Sequence, residues 1–310
     1  MRIELSQYHS SRHLDELTLL PRHALCPWCD GAQLAYVATV QTDPEVTLSR
    51  CASCHAASVS RMPTEAALES FYGTYYEAEQ VGADKGKFTF GDPHRMAAHL
   101  ARWLKPAAAG SVVRVLDFGG GDGTLSMLAA EEAVRLGRVQ GAEVVVVDHN
   151  APVPESSKGA VTRSVCRDLA SLPLQQFDLV IASAVMEHIV APRPVLTALV
   201  SKVKPGGYFY ARTPYVTPFM RLLERFGRRW DLTFPAHVHD LGQAFWEGQF
   251  GETGHYSEFA TVHSRPSIVE ASFRTDTIKA MLSLAFKLPW FVLRHHWGFV
   301  GGWEIVARRA

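Results

Sequence analysis

One stretch constrains this chain more than any other. Val112–Phe118 is a short apolar run that passes through Asp117 into Gly119-Gly120-Gly121-Asp122-Gly123, and a helical pattern opens at Thr124. A buried strand that turns into a helix through glycines lets the backbone bend sharply and approach a ligand closely. A tight turn with no ligand is the plainer alternative. A dinucleotide pyrophosphate would lie on the helix N-terminus, but Asp117 and Asp122 place two carboxylates beside the loop. Those charges disfavour phosphate and suit a ligand with an ammonium group and no phosphate.

Around this loop the chain alternates. Glu143–Val147, Phe177–Ala182 and Gly207–Thr213 read as strands, and Thr124–Leu136 and Pro192–Val203 as helices. Strands alternating with helices at this spacing imply a parallel sheet with crossover helices. The fold class is therefore α/β: a doubly wound, mostly parallel, Rossmann-like sheet. Upstream, Ala66–Tyr76 and Pro93–Leu104 carry helical patterns and Val81–Gly91 reads as a loop. Three parts result: a cysteine-bearing module at 1–65, a helical segment at 66–110, and the α/β domain at 111–310 with an insertion around 214–263.

The strand ends carry the next signals. Glu143–Val147 finishes in Asp148, where a carboxylate can accept both ribose hydroxyls of a nucleoside. Asp168 follows Cys166-Arg167 and can accept from an adenine amino group, and Phe177–Ser183 ends at the same expected crevice. In combination, the Asp117-x-Gly119-x-Gly121-x-Gly123 loop, Asp148, Asp168, the run into Met186-Glu187-His188, and Val203-Lys204-Pro205-Gly206-Gly207 before Thr213-Pro214 resemble class I S-adenosylmethionine-dependent methyltransferases. The resemblance covers roughly Pro93 to Pro214. It implies that Asp117, Gly119, Gly121 and Gly123 flank the methionine part of the donor. Asp148 would hold the ribose and Asp168 would read the adenine, with Phe118, His149 and Ser183 as further donor-binding candidates. Tyr72, Tyr75 and Tyr76 lie in a tract similar to the tyrosine-bearing helix of such enzymes, and Tyr75 is expected to reach the donor.

Methyl transfer needs acceptor, methyl and sulfur nearly in line. A hydroxyl acceptor also needs a base, and histidine titrates near working pH. Among fourteen histidines, spacing selects His188 at the mouth of the crevice, and His237 and His239 in the insertion. The competing reading is histidines that brace loops. The expected acceptor is a small polar molecule methylated on oxygen: a sugar, a nucleotide sugar, a natural-product intermediate or an anionic metabolite. C- or N-methylation, an RNA or protein acceptor, and a non-catalytic scaffold remain alternatives. Lys+Arg and Asp+Glu both number 31, so net charge makes no case for nucleic acid.

Cys26-Pro27-Trp28-Cys29 and Cys51-Ala52-Ser53-Cys54 form two C-x-x-C knuckles. Their separation slightly exceeds the usual spacing of about 15–20 residues, which a longer hairpin around Thr42-Asp43-Pro44-Glu45 accommodates. Four thiolates make a closed tetrahedral site, so one structural Zn2+ per chain is expected in a zinc ribbon. An iron–sulfur site or a dithiol pair is the alternative, and His55 is a lesser candidate ligand. Cys166 reads as a buried thiol. The module also resembles zinc ribbons ahead of bacterial sugar and natural-product methyltransferases.

Beyond the insertion the pattern weakens. Met281–Trp297 is apolar but interrupted by Lys287, Pro289 and Arg294, so it reads as a core helix before a strand; contact with lipid, a subunit or a greasy substrate is the alternative. Phe299–Ala307 supplies a final antiparallel strand. Phe245–His263 reads as a lid or homodimer contact. Arg221–Trp230 is a basic cluster on a solvated helix face, or a site for an anionic acceptor. No signal segment or membrane span is read, and the expected location is cytoplasmic.

Overall fold

The computed structural model describes residues 12–81, 93–105, 111–148, 156–268 and 277–310. At the N-terminal end, β1 (Leu34–Thr42) and β2 (Glu45–Cys51) form the expected hairpin across Asp43-Pro44, and β3 (Ala57–Val59) pairs with β2. Helices α1 (Glu65–Val81) and α2 (Pro93–Leu100) follow, α2 tightening into a 3-10 turn at Ala101–Trp103. The expected loop at Val81–Gly91 lies outside the described residues apart from Val81.

The α/β part runs β4 (Val112–Phe118), α3 (Thr124–Arg135), β5 (Gly141–Val147), β6 (Ser156–Lys158), β7 (Val161–Cys166), β8 (Phe177–Ser183), α4 (Pro192–Lys202) and β9 (Val203–Tyr215). After it come α5 (Thr217–Arg225), β10 (His239–Asp240), α6 (Gln243–Gln249), β11 (Phe259–Pro266), α7 (Thr277–Leu293) and β12 (Gly301–Arg309). The main sheet has the order β11-β12-β9-β8-β4-β5-β7-β6. Its centre is parallel from β9 to β7, and β12 runs antiparallel between β9 and β11. The chain leaves β4 towards β5 and β7, then returns to β8 on the other side of β4. That reversal opens a crevice outside the carboxyl ends of β4 and β8.

Both faces of the sheet are covered, which is why its strands read as continuous apolar runs. Val145 and Val147 pack with α4, α6, Phe209 and Ile305 on one face, and Val144 and Val146 pack with α2, α3 and Ile181 on the other. A charge inside this sheet must be compensated. Glu304 of β12 is fully buried and accepts from Arg265 Nε at 2.9 Å and from His263 Nε2 at 2.9 Å, with His99 Nε2 at 3.2 Å. Burial alone would push this carboxyl up, but those cationic and donor partners outweigh it and hold it below the ordinary glutamate range.

Two expectations need correction. The tract around Phe245–His263 is not a lid: Phe245 and Trp246 of α6 are fully buried, Trp246 Nε1 donates to Thr213 Oγ1 at 2.9 Å, and β11 joins the main sheet. Nor is α7 a core helix. Only Ala280, Lys287 and Trp290 of its described side chains are buried, while Ile278, Met281, Leu282 and Val292 are more than half exposed. Apolar content gave the right element but the wrong environment.

The ribbon is continuous with the rest. β10, from the insertion, pairs with β3 through His239↔Ser58 and Asp240↔Ala57, extending the small sheet to the order β1-β2-β3-β10. Trp28, inside the first knuckle, meets Phe245 edge-on at 4.6 Å.

Candidate active site

Residues at the carboxyl ends of β4, β5 and β8 converge as the topology requires. In the loop after β4, Gly119, Gly121 and Gly123 have φ of 67°, 57° and 73°, a left-handed conformation that a Cβ disfavours. Asp117 lies beneath the loop, 4% exposed, and a Cβ on Gly120 would fall 2.4 Å from its carboxyl carbon. Burial pushes the Asp117 carboxyl up to about 6. Its bond with Ser126 opposes the shift, and the charges of Asp148 and Asp122 add to it.

Asp148, just beyond β5, accepts the Gly121 N–H at 2.9 Å, which ties the loop to the next strand end. Arg163 of β7 donates to the Asp122 carbonyl at 2.6 Å. Phe118 is half-buried at the end of β4. Ser183 ends β8 and accepts from Arg212 Nε at 3.4 Å; Arg212 is a buried neighbour that sequence reasoning passed over. Asp168 follows β7 and is exposed, but one of its carboxylate oxygens caps its own turn by accepting from Ala170 N at 2.8 Å. Cys166 is half-buried rather than buried, its thiol 3.2 Å from the Asp168 carbonyl. His149 and the side chain of Tyr75 lie outside the described residues.

A second group faces the same end of the sheet. His188 follows β8 in a 3-10 turn, and its Nδ1 lies 2.8 Å from the Ala236 carbonyl. A carbonyl only accepts, so the proton resides on Nδ1 and Nε2 is the basic nitrogen. Burial holds the His188 pKa below its ordinary value, against the raising effect of the Ala236 and Ala184 carbonyls. Tyr72 Oη lies 3.2 Å from the same Nδ1. His237 meets His188 edge-on at 4.8 Å, with its Nδ1 2.9 Å from Thr233 Oγ1. Glu187 is 1% exposed, its Oε2 has no partner among the described residues, and its other oxygen lies 3.9 Å from His188 Nε2. Burial pushes its carboxyl up to about 7. The Glu-His pair in the sequence pointed to this acid, although the carboxylate was not assigned to the site. Ligand atoms of Glu187, His188 and His237 lie within 4.8 Å of one another.

His239 corrects the expectation placed on it. It is fully buried, its Nε2 donates to the Ile189 carbonyl at 2.9 Å, and its Nδ1 accepts from Ser58 Oγ at 2.8 Å. Burial drives its pKa down to about 3, so the ring stays neutral. Both nitrogens are committed, and His239 braces the insertion against β3.

The four knuckle cysteines converge. Cys26 and Cys54 Sγ are 3.5 Å apart, Cys29 and Cys51 Sγ 3.6 Å, and all four lie within 4.8 Å of one another. A tetrahedron with bonds of about 2.3 Å spaces sulfurs about 3.8 Å apart, so the donor set fits zinc. Gly31 passes so close that a Cβ there would lie 3.1 Å from Cys51 Sγ and 3.3 Å from Cys29 Sγ. A side chain at that position would press on Ser53 Oγ and on two of the sulfurs, which would have to give way by a few tenths of an ångström.

A family model described as a methyltransferase domain matches residues 90–262. Curated relatives include two proteins named ubiquinone biosynthesis O-methyltransferase. The one from Vibrio atlanticus (strain LGP32) is 34% identical over 101 residues, 32% of this chain and 43% of the relative. The one from Cereibacter sphaeroides (strain ATCC 17029 / ATH 2.4.9) is 30% identical over 155 residues, 47% of this chain and 60% of the relative. The chain thus spans about half the length of the curated relatives it matches. Among solved structures, Burkholderia thailandensis 1,6-didemethyltoxoflavin-N1-methyltransferase, with bound 1,6-didemethyltoxoflavin and S-adenosylhomocysteine, is 16% identical with a TM-score of 0.45, over 88% of this chain and 99% of that one.

The glycine loop makes its own prediction. A Cβ on Gly119 would lie 2.6 Å from Val185 Cγ2, whereas one on Gly121 would meet nothing within 4 Å. Gly121→Ala is expected to cost about 1 kcal/mol through backbone strain alone, and Gly119→Ala about 2–3 kcal/mol through strain and overpacking. Adding Val185→Ala should recover part of the second loss. Urea denaturation measures all three; equal losses would mean that Val185 does not press on the loop.

Proposed function

We propose that this chain, which belongs to the methyltransferase-domain family, transfers the methyl group of S-adenosylmethionine to an oxygen of a small polar acceptor. The observation that carries this reading is the junction of Asp117, three left-handed glycines and Asp148 at neighbouring strand ends beside the switch point. S-adenosylmethionine supplies a methyl already activated by a positive sulfur. In this reading Asp117 receives the donor's ammonium group, with Phe118, Gly119, Gly121 and Gly123 around the methionine portion and Tyr75 over it. Asp148 and His149 take the ribose, Asp168 the adenine amino group, and Ser183 the crevice wall. The proposed acceptor is the hydroxyl of a sugar, nucleotide sugar or natural-product intermediate. The O-methyltransferase names of the curated relatives support the oxygen.

As the acceptor oxygen bonds to the methyl carbon, the carbon–sulfur bond breaks and the hydroxyl proton passes to the basic Nε2 of His188. The neutral ring held by the Ala236 carbonyl suits that task. His237 packs against it and positions either the ring or the acceptor. His239 takes no part. One structural zinc in Cys26, Cys29, Cys51 and Cys54 completes the proposal, with a closed shell that holds the ribbon and leaves no position for substrate.

Calorimetry with S-adenosylhomocysteine tests the reading directly. The donor's ammonium needs the ionised Asp117 carboxylate. Affinity is therefore expected to rise with pH up to about 6 and then level off, falling about tenfold per pH unit below that point. The linked stability effect has the opposite sign in the free protein: a raised carboxyl favours the fold at acid pH and loses that contribution as pH climbs through 6. Absence of binding at pH 8 would overturn the proposal.

His188→Ala is expected to lower kcat at saturating donor by about 10²-fold or more, with S-adenosylhomocysteine affinity unchanged. Single-turnover methylation assays separate the two quantities, and unchanged turnover in both His188→Ala and His237→Ala would remove the base assignment.

Elemental analysis of purified protein should find about one zinc per chain, and Cys51→Ser should lose it along with thermal stability. Zinc-free protein with full stability would reject the structural site.

A further inference from the structure

Helix α7 is apolar on nearly every side, yet it is held by a narrow stripe. Trp290 packs against Trp303 with ring centroids 5.3 Å apart and donates to Gln243 Oε1 at 3.1 Å, and Lys287 turns inward to the Ser267 carbonyl. Five apolar side chains face outward: Ile278 is 73% exposed, Met281 60%, Leu282 57%, Leu288 51% and Val292 83%. A helix on a globular surface keeps polar residues on its outer face, and one apolar all round is ordinarily buried. The sequence Thr277–Leu293 contains no acidic residue.

The neighbouring helix extends this face and supplies its charge. Phe219 of α5 packs edge-on against Phe286 of α7 at 5.6 Å. Leu222, one turn further along α5 on the side of Phe219, is 45% exposed, and Phe226, just past the helix end, is 71% exposed. Around them Arg221, Arg225, Arg228 and Arg229 are all exposed, as is Arg294 at the end of α7. The acidic residue of α5, Glu224, is occupied by the Tyr36 hydroxyl. The Gly301↔Tyr215 pairing puts the start of β12 beside the end of β9, so both helices border the sheet edge that carries the glycine loop.

We propose that α5 and α7 together dock this protein on an anionic lipid surface, α7 lying in the interface and the arginines reaching the headgroups. Apolar side chains rimmed by clustered arginine match such a surface in both hydrophobicity and charge. Helix α7 measures about 25 Å, and no helix among the described residues is long and apolar enough to cross a membrane. The geometry therefore favours lying on the bilayer over passing through it. The proposal is independent of methyl transfer, since either can fail without the other.

The test is flotation of the full chain with vesicles of equal parts phosphatidylglycerol and phosphatidylcholine, beside vesicles of phosphatidylcholine alone. Binding to the anionic vesicles is expected to exceed binding to the neutral ones by at least about tenfold. It should fall towards the neutral value in about 1 M salt, where the Debye length shrinks to about 3 Å. Arg225→Glu with Arg228→Glu and Arg229→Glu should reproduce that loss. Met281→Ser with Leu282→Ser and Val292→Ser should abolish binding while leaving the melting temperature and S-adenosylhomocysteine affinity unchanged, because these side chains touch solvent. Equal binding to both vesicles, or anionic binding that neither variant weakens, would overturn the proposal. So would light scattering that shows a lipid-free dimer dissociated by the serine variant, which would assign the face to a second copy.

Discussion

Parallel strands cannot be joined by tight turns. Each must be followed by a crossover that climbs back over a face of the sheet, so every loop leaving a strand tip emerges on one edge. The arrangement of this protein descends from that constraint. Asp117, Asp148 and Ser183 come from β4, β5 and β8 and lie far apart in sequence, yet pairing of the three strands brings their ends together. The same constraint covers both faces of the sheet, and only a compensated charge such as Glu304, held between Arg265 and two histidines, survives inside.

The cysteine module belongs to this arrangement rather than standing beside it. Cys26, Trp28 and Cys51 share one apolar cluster with α4 and α6. Val238 N–H donates to the Glu187 carbonyl at 2.9 Å, and Val59 N–H donates to the Val238 carbonyl at 3.0 Å. The backbone between His237 and His239 is thus clamped between β3 and the turn that carries His188. A closed metal shell at the knuckles would stiffen that clamp without approaching the reaction.

Legibility followed burial. β4 was readable to its end residues because it is covered on both sides and bounded by glycine, and β5 and β8 were readable to within two residues for the same reason. β7 escaped notice because Thr162, Arg163 and Ser164 lie near the sheet edge and dilute its pattern. β11, with Ala260–Val262 exposed, looked like a loop. Cysteine spacing announced the knuckles, whereas the two-residue β10 left no periodicity to find. His237 and His239 are equivalent in composition and nearly so in position, and only the pairing of β10 with β3 separates a ring at the site from a ring committed to Ser58 and Ile189. Helix α7 shows the converse: apolar composition identified the helix but carried no information on which of its sides was covered.

The bond between Ser58 and His239 spans 181 positions of the chain. Contacts of such separation close long loops, and the entropy of that closure is met before the contact returns anything. The N-terminal hairpin therefore cannot complete its own sheet when it first forms; its last strand arrives only after most of the polypeptide has been made. Until then the edge of β3 and the ring of Trp28 lack their covers. A shortened version that begins at the α/β domain would take both Ser58 and the covering ring of Trp28 away from His239.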